Sequence, residues 1–479
     1  MNKPPLTNHD QSNKPPPDLV AIPDAAALFI RIANMDLFAR VLRASTGYVR
    51  CWTPSVTLMG MILGHLVGLG TLERVVHEMR SGIADPLCAL SKKLSVLLQK
   101  CVSTAAYSQA RARLPLSWLR RCLGAQGAAL RSLATGRLWK NLDVRILDGT
   151  MITMRPHGRI PKRFPPHSNQ NGNCYWCQMR VLACMCVSTG IILSLVMGNA
   201  ADSEQAQTVR MMLCGGCGSA LSSLAPASVV WMGDANFGVW RVVAASHQSR
   251  QLVLVRLTIT RARKLAGVHG LIAGMDLAVT WHPSSADTVD RGLKKAGVAG
   301  RLIVVRIVRT GFRPIELLLF TTIDATVANS EELANLYALR WRIELSLRYF
   351  KTQLGLGELA AKSPAMAKRE LLTGAMAYNL VRGMILLSGA LHQTPVWGLS
   401  FTKARWELLA AMALGNDPEV WANYLWRIAR GKLPGRKKPR PSEPRQKRHR
   451  RETFPPLKGS RAEARRQINS EEKMARLKS

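Results

Sequence analysis

Two short apolar runs that each stop at an acid constrain this chain more than any other feature. Val144-Arg145-Ile146-Leu147 leads into Asp148 and then Gly149-Thr150, and Val229-Val230-Trp231-Met232 leads through Gly233 to Asp234. Runs of this length, rich in β-branched residues, read as buried strands. Each strand delivers a carboxylate at the carboxyl edge of an apolar core, where ligands gather in α/β sheets. Between them, Gln178 to Cys186 and Ile191 to Val196 read as a hairpin, and a helix runs from about Ser203 to Leu213. Asp143, Asp202 and Glu204 are acids close by that spacing alone does not separate from the pair.

A third acid comes from a helical pattern. In the stretch from Tyr337 to Lys351, a helix advancing about 100° per residue gathers Tyr337, Arg340, Glu344, Arg348 and Lys351 within roughly 80°. Leu336, Leu339, Ile343, Leu347, Phe350 and Leu354 fill a second arc, so one flank packs while the polar stripe faces a cleft. One carboxylate among three cations and a phenol suits a metal ligand beside a phosphate clamp. An exposed helix with ordinary i, i+4 ion pairs is the competing reading.

The rest of the chain frames these elements. Residues 1–20 are rich in Pro, Asn and Lys and read as disordered. Residues 21–140 form an all-α N-terminal domain with helices over Ala25–Leu42, Pro54–Val67, Thr71–Arg80, Asp85–Cys101, Ser103–Arg113 and Pro115–Leu133, in pairs that resemble helix-turn-helix units. The helix from Ser103 mixes small, hydroxyl, amide and guanidinium side chains, as one entering a DNA groove would, although a packed bundle explains it equally well. Residues 141–250 carry the first two acids. Residues 251–325 form a β-rich insertion, with strands over Leu252–Leu257, Leu277–Trp281, Leu302–Val308 and Ile315–Phe320 and with Arg256, Arg261, Arg263, Lys264, Lys294 and Lys295 interleaved. Residues 326–395 resume the core with the third acid and a helix from Lys368 to Leu391. A helical element over 396–430 and a basic tail over 431–479 follow.

Charge points to the partner. The 67 lysines and arginines against 30 acids give +37, which calls for a polyanion. Arg430 to Arg451 accounts for only +10 of that, so the excess is not confined to the tail. The ten cysteines, with prolines where a secretory apolar region would lie, suggest a reducing cytoplasm. Val181 to Gly198 is an uncharged run of membrane-spanning length, but Ser188-Thr189-Gly190 breaks it, so two buried strands and a tight turn replace the membrane reading. Cys174-x2-Cys177 and Cys214-x2-Cys217 offer zinc-ligand types at unusually wide separation. His157 and His167 lie in a Pro-rich loop without partner spacing.

The residue pattern now meets a known family. Tyr337, Arg340, Glu344 and Lys351 match the Tyr-x2-Arg-x3-Glu-x6-Lys signature of DDE transposases of bacterial insertion sequences, of the insertion-sequence-four type. Leu147-Asp148-Gly149-Thr150 is similar to that family's first-acid motif and Gly233-Asp234-Ala235-Asn236-Phe237-Gly238 to its second. The spacings of about 86 and 110 residues between acids, the β-rich insertion and the basic C-terminus also resemble the family, over roughly residues 25–460.

The resemblance implies a ribonuclease-H-like core interrupted by the insertion, and a cut-and-paste transposase acting on terminal inverted repeats and target DNA. It implies that Asp148, Asp234 and Glu344 bind two magnesium ions, with manganese able to substitute. It also implies that Arg340 and Lys351 hold transposon-end phosphates with Arg348 beside them, and that Tyr337 contacts the terminal nucleotide region. A tryptophan of the insertion supports an extruded base in some members, and Trp281 is the candidate here, with core packing as its alternative. A homodimeric synaptic complex on double-stranded DNA, in the nucleoid of a bacterial cytoplasm and away from membranes, completes the expectation. A metal-dependent nuclease without strand transfer and a catalytically silent DNA-binding derivative are the alternatives.

Overall fold

The computed structural model describes residues 51–68, 71–85, 94–99, 103–132, 138–169, 172–213, 229–285, 287, 290, 292–307, 315–414, 417–433, 463 and 466. Contacts divide the chain into two units, one of Met1–Arg306 with Glu316–Leu433 and one of Ile307–Ile315 with Pro434–Ser479. The sheet and the helices that pack on it lie in the first unit, but for Ile307 and Ile315 at two strand ends. The N-terminal tail, the helix expected over Ala25–Leu42, Cys214, Cys217 and the basic tail beyond Leu433 lie outside the described residues, as does most of the helix expected from Asp85.

Five helices open the described chain: α1 (Pro54–Val67), α2 (Leu72–Arg80), α3 (Leu94–Leu98), α4 (Thr104–Arg113) and α5 (Leu116–Ser132). Their starts follow the sequence signals. Thr53, Thr71 and Ser103 each accept a backbone N–H from the first turn, at 3.2, 3.3 and 3.2 Å. Then come β1 (Asp143–Met154), α6 (Ile160–Arg163), β2 (Pro166–Asn169), β3 (Gly172–Cys186), β4 (Ile192–Asn199), α7 (Glu204–Leu213), β5 (Val229–Gly233), α8 (Trp240–Gln248) and β6 (Leu252–Arg256). Next follow α9 (Ile259–Ala266), β7 (Asp276–Trp281), β8 (Val298–Ile307), β9 (Ile315–Thr321), α10 (Ser330–Ala338), α11 (Trp341–Thr352), β10 (Glu358–Leu359), α12 (Pro364–Leu391), α13 (Phe401–Leu414) and α14 (Pro418–Ala429).

The class is α/β, around one ten-stranded sheet. Its path runs β2-β3-β1-β5-β6-β9-β8-β7, with β4 on β3 and β10 on β1. β1 is antiparallel to β3, β3 is antiparallel to β4, and β5 and β6 run parallel to β1. The strands of the expected insertion therefore continue this sheet, because β9 pairs with β6 through Leu254 and Thr321.

The uncharged run from Val181 is the β3–β4 hairpin, as its central break predicts. Gly190 has φ +72°, and a Cβ there would come within 2.7 Å of both Arg382 and Trp397. Arg382, only 4 % exposed, donates to the Thr189 carbonyl and lies over the Trp397 ring. The hairpin tip is thus locked onto α12.

α12 is buried all round from Leu371 to Gly389 and mostly apolar there, with Thr373, Asn379, Arg382 and Ser388 among its buried polar residues. It is long and apolar enough to cross a membrane, yet its most apolar stretch lies wholly inside the protein. It packs on α1 and α5 from the N-terminal helices, on α13 and α14, and on β4. A polar cluster joins the same layers: Arg111 of α4 pairs with Glu370 at 2.9 Å, and His65 Nε2 lies 3.2 Å from the Thr373 hydroxyl. Arg111 belongs to the helix with the groove-entering pattern; its burial in this pair assigns that residue to the packed bundle.

Two sequence expectations need correction. β1 does not end at Asp148. Its residues from Gly149 to Met154 go on pairing with β3, and Thr153 and Met154 also pair with β10, so Asp148 sits at mid-strand. The single helix expected from Tyr337 to Lys351 is two. Leu339, Arg340, Arg342 and Ile343 bond back to Leu336, Tyr337, Leu339 and Arg340 at i−3, a tighter winding that separates α10 from α11. The apolar arc survives the break, with Leu336, Ile343, Leu347, Phe350 and Leu354 buried. The even polar stripe does not, because Tyr337 is 7 % exposed while Arg348 is exposed.

Candidate active site

β1 and β5 bring the first two acids within electrostatic reach of each other. Asp143 to Ile146 pair in parallel with Val229 to Met232, so Asp148 follows two residues after the paired stretch on β1 and Asp234 two residues after it, just past the end of β5, and the two carboxylates interact electrostatically. The sheet thus converts 86 residues of sequence into neighbouring positions. Asp148 accepts the Gly149 N–H at 2.9 Å, and Asp234 accepts the Asn236 N–H at 2.9 Å in the turn after β5. Only the apolar flanks of these strands need burial, so both carboxylates stay partly accessible.

Electrostatics tie the third acid and its neighbours to them. Burial pushes the Asp148 carboxyl up to about 7, Asp234 adds to the rise, Arg340 and the Gly149 N–H oppose it, and Glu344 adds a smaller share. Arg340 donates to Glu344 at 2.6 Å across the break between α10 and α11. Burial likewise raises the Tyr337 phenol to about 12, with Arg340 and Arg256 pulling it down and Asp234 pushing it up. Asp148, Asp234, Glu344, Arg340 and Tyr337 therefore form one electrostatic cluster drawn from β1, the turn after β5, α10, α11 and the break between those helices. Arg348 and Lys351 stand one and two turns farther along α11; Arg348 is exposed beside the Tyr349 ring at 5.9 Å.

The donor set fits a hard divalent cation. Two mutually interacting carboxylates, the Asp148 carboxyl raised to about 7 by burial and by Asp234, concentrate negative charge that Arg340 alone does not balance. All three acids offer oxygen only, which suits magnesium or manganese. Among the described residues no three His, Cys, Asp or Glu side chains stand in ligating geometry, and Glu344 is held on Arg340.

The remaining acids separate by environment. Asp143 is fully buried and accepts from Arg145 at 2.7 Å and from Arg131 of α5 at 3.0 Å, so it fastens a helix to the sheet. Asp202 closes a turn by accepting the Asn199 N–H at 2.9 Å. Glu204 pairs with Arg180 of β3 and with Asn236. Trp281 lies on β7, edge-on to Phe320 at a centroid distance of 5.1 Å, in the packing arrangement. Cys177 is buried in β3, and His157 is exposed after β1.

Sequence reasoning missed the residues that hold the second acid's turn. Arg261 of α9 donates to the Ala235 carbonyl at 3.0 Å, and Gln205 of α7 donates to both the carbonyl and the side-chain oxygen of Asn236 at 2.8 and 3.1 Å. Arg180, the single cation in the otherwise apolar run from Met179 to Cys186, is the available signal, since a charge in such a strand needs a partner.

Comparison with known proteins agrees in class. The family model described as transposase DDE domain matches residues 139–380, which contain all three acids. No curated protein matches the chain. Among solved structures, the chain is similar to the piggyBac transposase synaptic complex with hairpin DNA determined by cryo-EM, at 9 % identity and a TM-score of 0.38, over 86 % of this chain and 83 % of that one.

Proposed function

The chain belongs to the transposase DDE-domain family, and on that premise we propose that it is a cut-and-paste transposase of a bacterial insertion sequence of the insertion-sequence-four type. It binds the terminal inverted repeats of its element, cuts there, and joins the freed 3′ ends to target DNA on the bacterial chromosome. One observation carries the reading: Asp148 on β1 and Asp234 in the turn after the parallel neighbour β5 interact electrostatically, with Glu344 and Arg340 in reach. The strand order β4-β3-β1-β5-β6, with the first three antiparallel and the last two parallel to β1, supports a ribonuclease-H-like core.

In this reading Asp148, Asp234 and Glu344 would hold two magnesium ions, with manganese an effective substitute. When bound, such a pair activates the attacking oxygen and stabilises the leaving oxygen of an in-line displacement. The chain's own groups do the rest. Arg340 neutralises Glu344 in the free protein and turns to a phosphate oxygen of the transposon end, with Lys351 and Arg348 extending the clamp along α11. Tyr337, held protonated by its burial, donates a hydrogen bond near the terminal nucleotide. Water is the first nucleophile and the 3′-hydroxyl the second, and each displaces an oxygen at phosphorus without a covalent protein intermediate. The N-terminal helices and the basic tail contribute binding to double-stranded DNA, and two copies hold the two ends.

The test is a duplex carrying the repeats that flank the coding region. Wild type should nick and join it with magnesium, while Asp148→Asn and Glu344→Gln should bind it and leave it uncut. Cleavage retained in both variants would overturn the assignment. Cutting without joining would leave a nuclease.

A further inference from the structure

We propose that Glu204 is a positioning residue that sets the spacing between Asp148 and Asp234, and that Gly149 is glycine to admit it. Glu204 opens α7 and meets both acid-bearing segments, at Gly149 and at Asn236. Its Oε1 accepts from Arg180 Nη1 at 2.7 Å and its Oε2 accepts from Asn236 Nδ2 at 2.7 Å. Asn236 in turn donates its N–H to Asp234 at 2.9 Å. On the other side the carboxylate presses on Gly149, where a Cβ would come within 2.1 Å of Oε1 and 2.3 Å of Cδ. Gly149 is the residue whose N–H donates to Asp148. One carboxylate therefore touches both neighbours of the metal-binding pair while both of its own oxygens are engaged.

A carboxylate suits this place better than an amide. Glutamine accepts at one oxygen only, and its NH2 would face either Arg180 or the Asn236 NH2. Asn236 has little freedom to flip, since its side-chain oxygen accepts from Gln205 at 3.1 Å. Glu204→Gln thus keeps the volume and breaks one arm of the bridge.

The inference rests on the proposed metal-dependent reading, so the test separates the two. Manganese binding to full-length protein, followed by electron paramagnetic resonance beside a thermal melt, is measured for wild type, Asp148→Asn, Glu204→Gln, Gly149→Ala and Gly149→Ala with Glu204→Ala. Removing residues that orient metal ligands costs roughly 10- to 100-fold in affinity. Glu204→Gln should bind manganese weaker by about that factor with a nearly unchanged melt. Gly149→Ala should match it or unfold, and the double variant should fold yet stay weak. Wild-type affinity in Glu204→Gln, with binding lost in Asp148→Asn, overturns the positioning role alone. Binding lost in Glu204→Gln as completely as in Asp148→Asn also overturns it, by making Glu204 a ligand. Unchanged binding in Asp148→Asn removes the metal reading and this inference with it.

Discussion

Asp143 and Asp148 lie five residues apart on one strand and should respond to the same substitution in opposite directions. Asp143 is fully buried between Arg145 and Arg131. Asp143→Asn leaves Arg145, itself 1 % exposed and with its Nη2 already unpartnered, without its counter-charge. Breaking a buried pair from one side costs about 3–5 kcal/mol. For Asp148 the sign reverses. Its carboxyl is raised from 3.8 to about 7, so the folded state binds the proton more tightly than the unfolded chain between those values. The contribution of this group to stability is fullest below 3.8 and falls as pH rises through about 7. The full penalty is at most roughly 4 kcal/mol, of which about 2–3 kcal/mol develops between pH 5 and pH 8. In metal-free buffer Asp148→Asn should therefore be more stable than wild type at pH 8 and closer to it at pH 5, and magnesium should stabilise wild type but not the variant. Urea unfolding at both pH values, with and without magnesium, reads all of this. A variant Asp148→Asn that is less stable than wild type at pH 8 would refute the reasoning, as would an Asp143→Asn that unfolds like wild type.

Other expectations are as direct. Burial, and then Arg111, push His65 down to about 4, so its contribution is complete above 6.5 and is lost as pH falls toward 4, by roughly 3 kcal/mol at most; His65→Gln should flatten that part of the stability profile. Gly190→Ala should destabilise by about 1–3 kcal/mol through its collision with Arg382 and Trp397 and its positive φ, measured by denaturant midpoint. Deleting residues 434–479 should weaken DNA binding at low salt and make log K fall less steeply with log salt, by roughly 0.9 for each phosphate that the tail neutralises.

Much of the site is legible in the sequence because its signals are local. Apolar β-branched runs beside acids, a Ser-Thr-Gly break and capping hydroxyls each report on a few neighbouring residues; the hairpin and several helix starts follow from them, while the end of the first strand, expected at Asp148, does not. The break at Leu339-Arg340 is not legible: every residue there favours helix, and only hydrogen-bond register shows the tighter winding. Asp143 and Asp148 look alike in sequence, and it is Arg131, from a helix before the strand, that makes one of them structural. Glu204 is visible only as one more acid, since its partners Arg180, Gly149 and Asn236 come from three separate segments. Side-chain roles fixed by long-range pairing are where reading along the chain gives out.

The burial of α12 has a consequence for how the molecule is made. Its apolar surface is covered by α1 and α5, which leave the ribosome first, while α12 begins 232 residues after α5 ends. At about 5–20 residues per second the early helices wait roughly 10–50 s for the partner that completes their core. Until then their sticky faces are open to chaperones, and a message truncated before residue 364 would yield a product destined for proteolysis. Output of functional protein from a given transcript is therefore set in part by whether synthesis reaches one late helix.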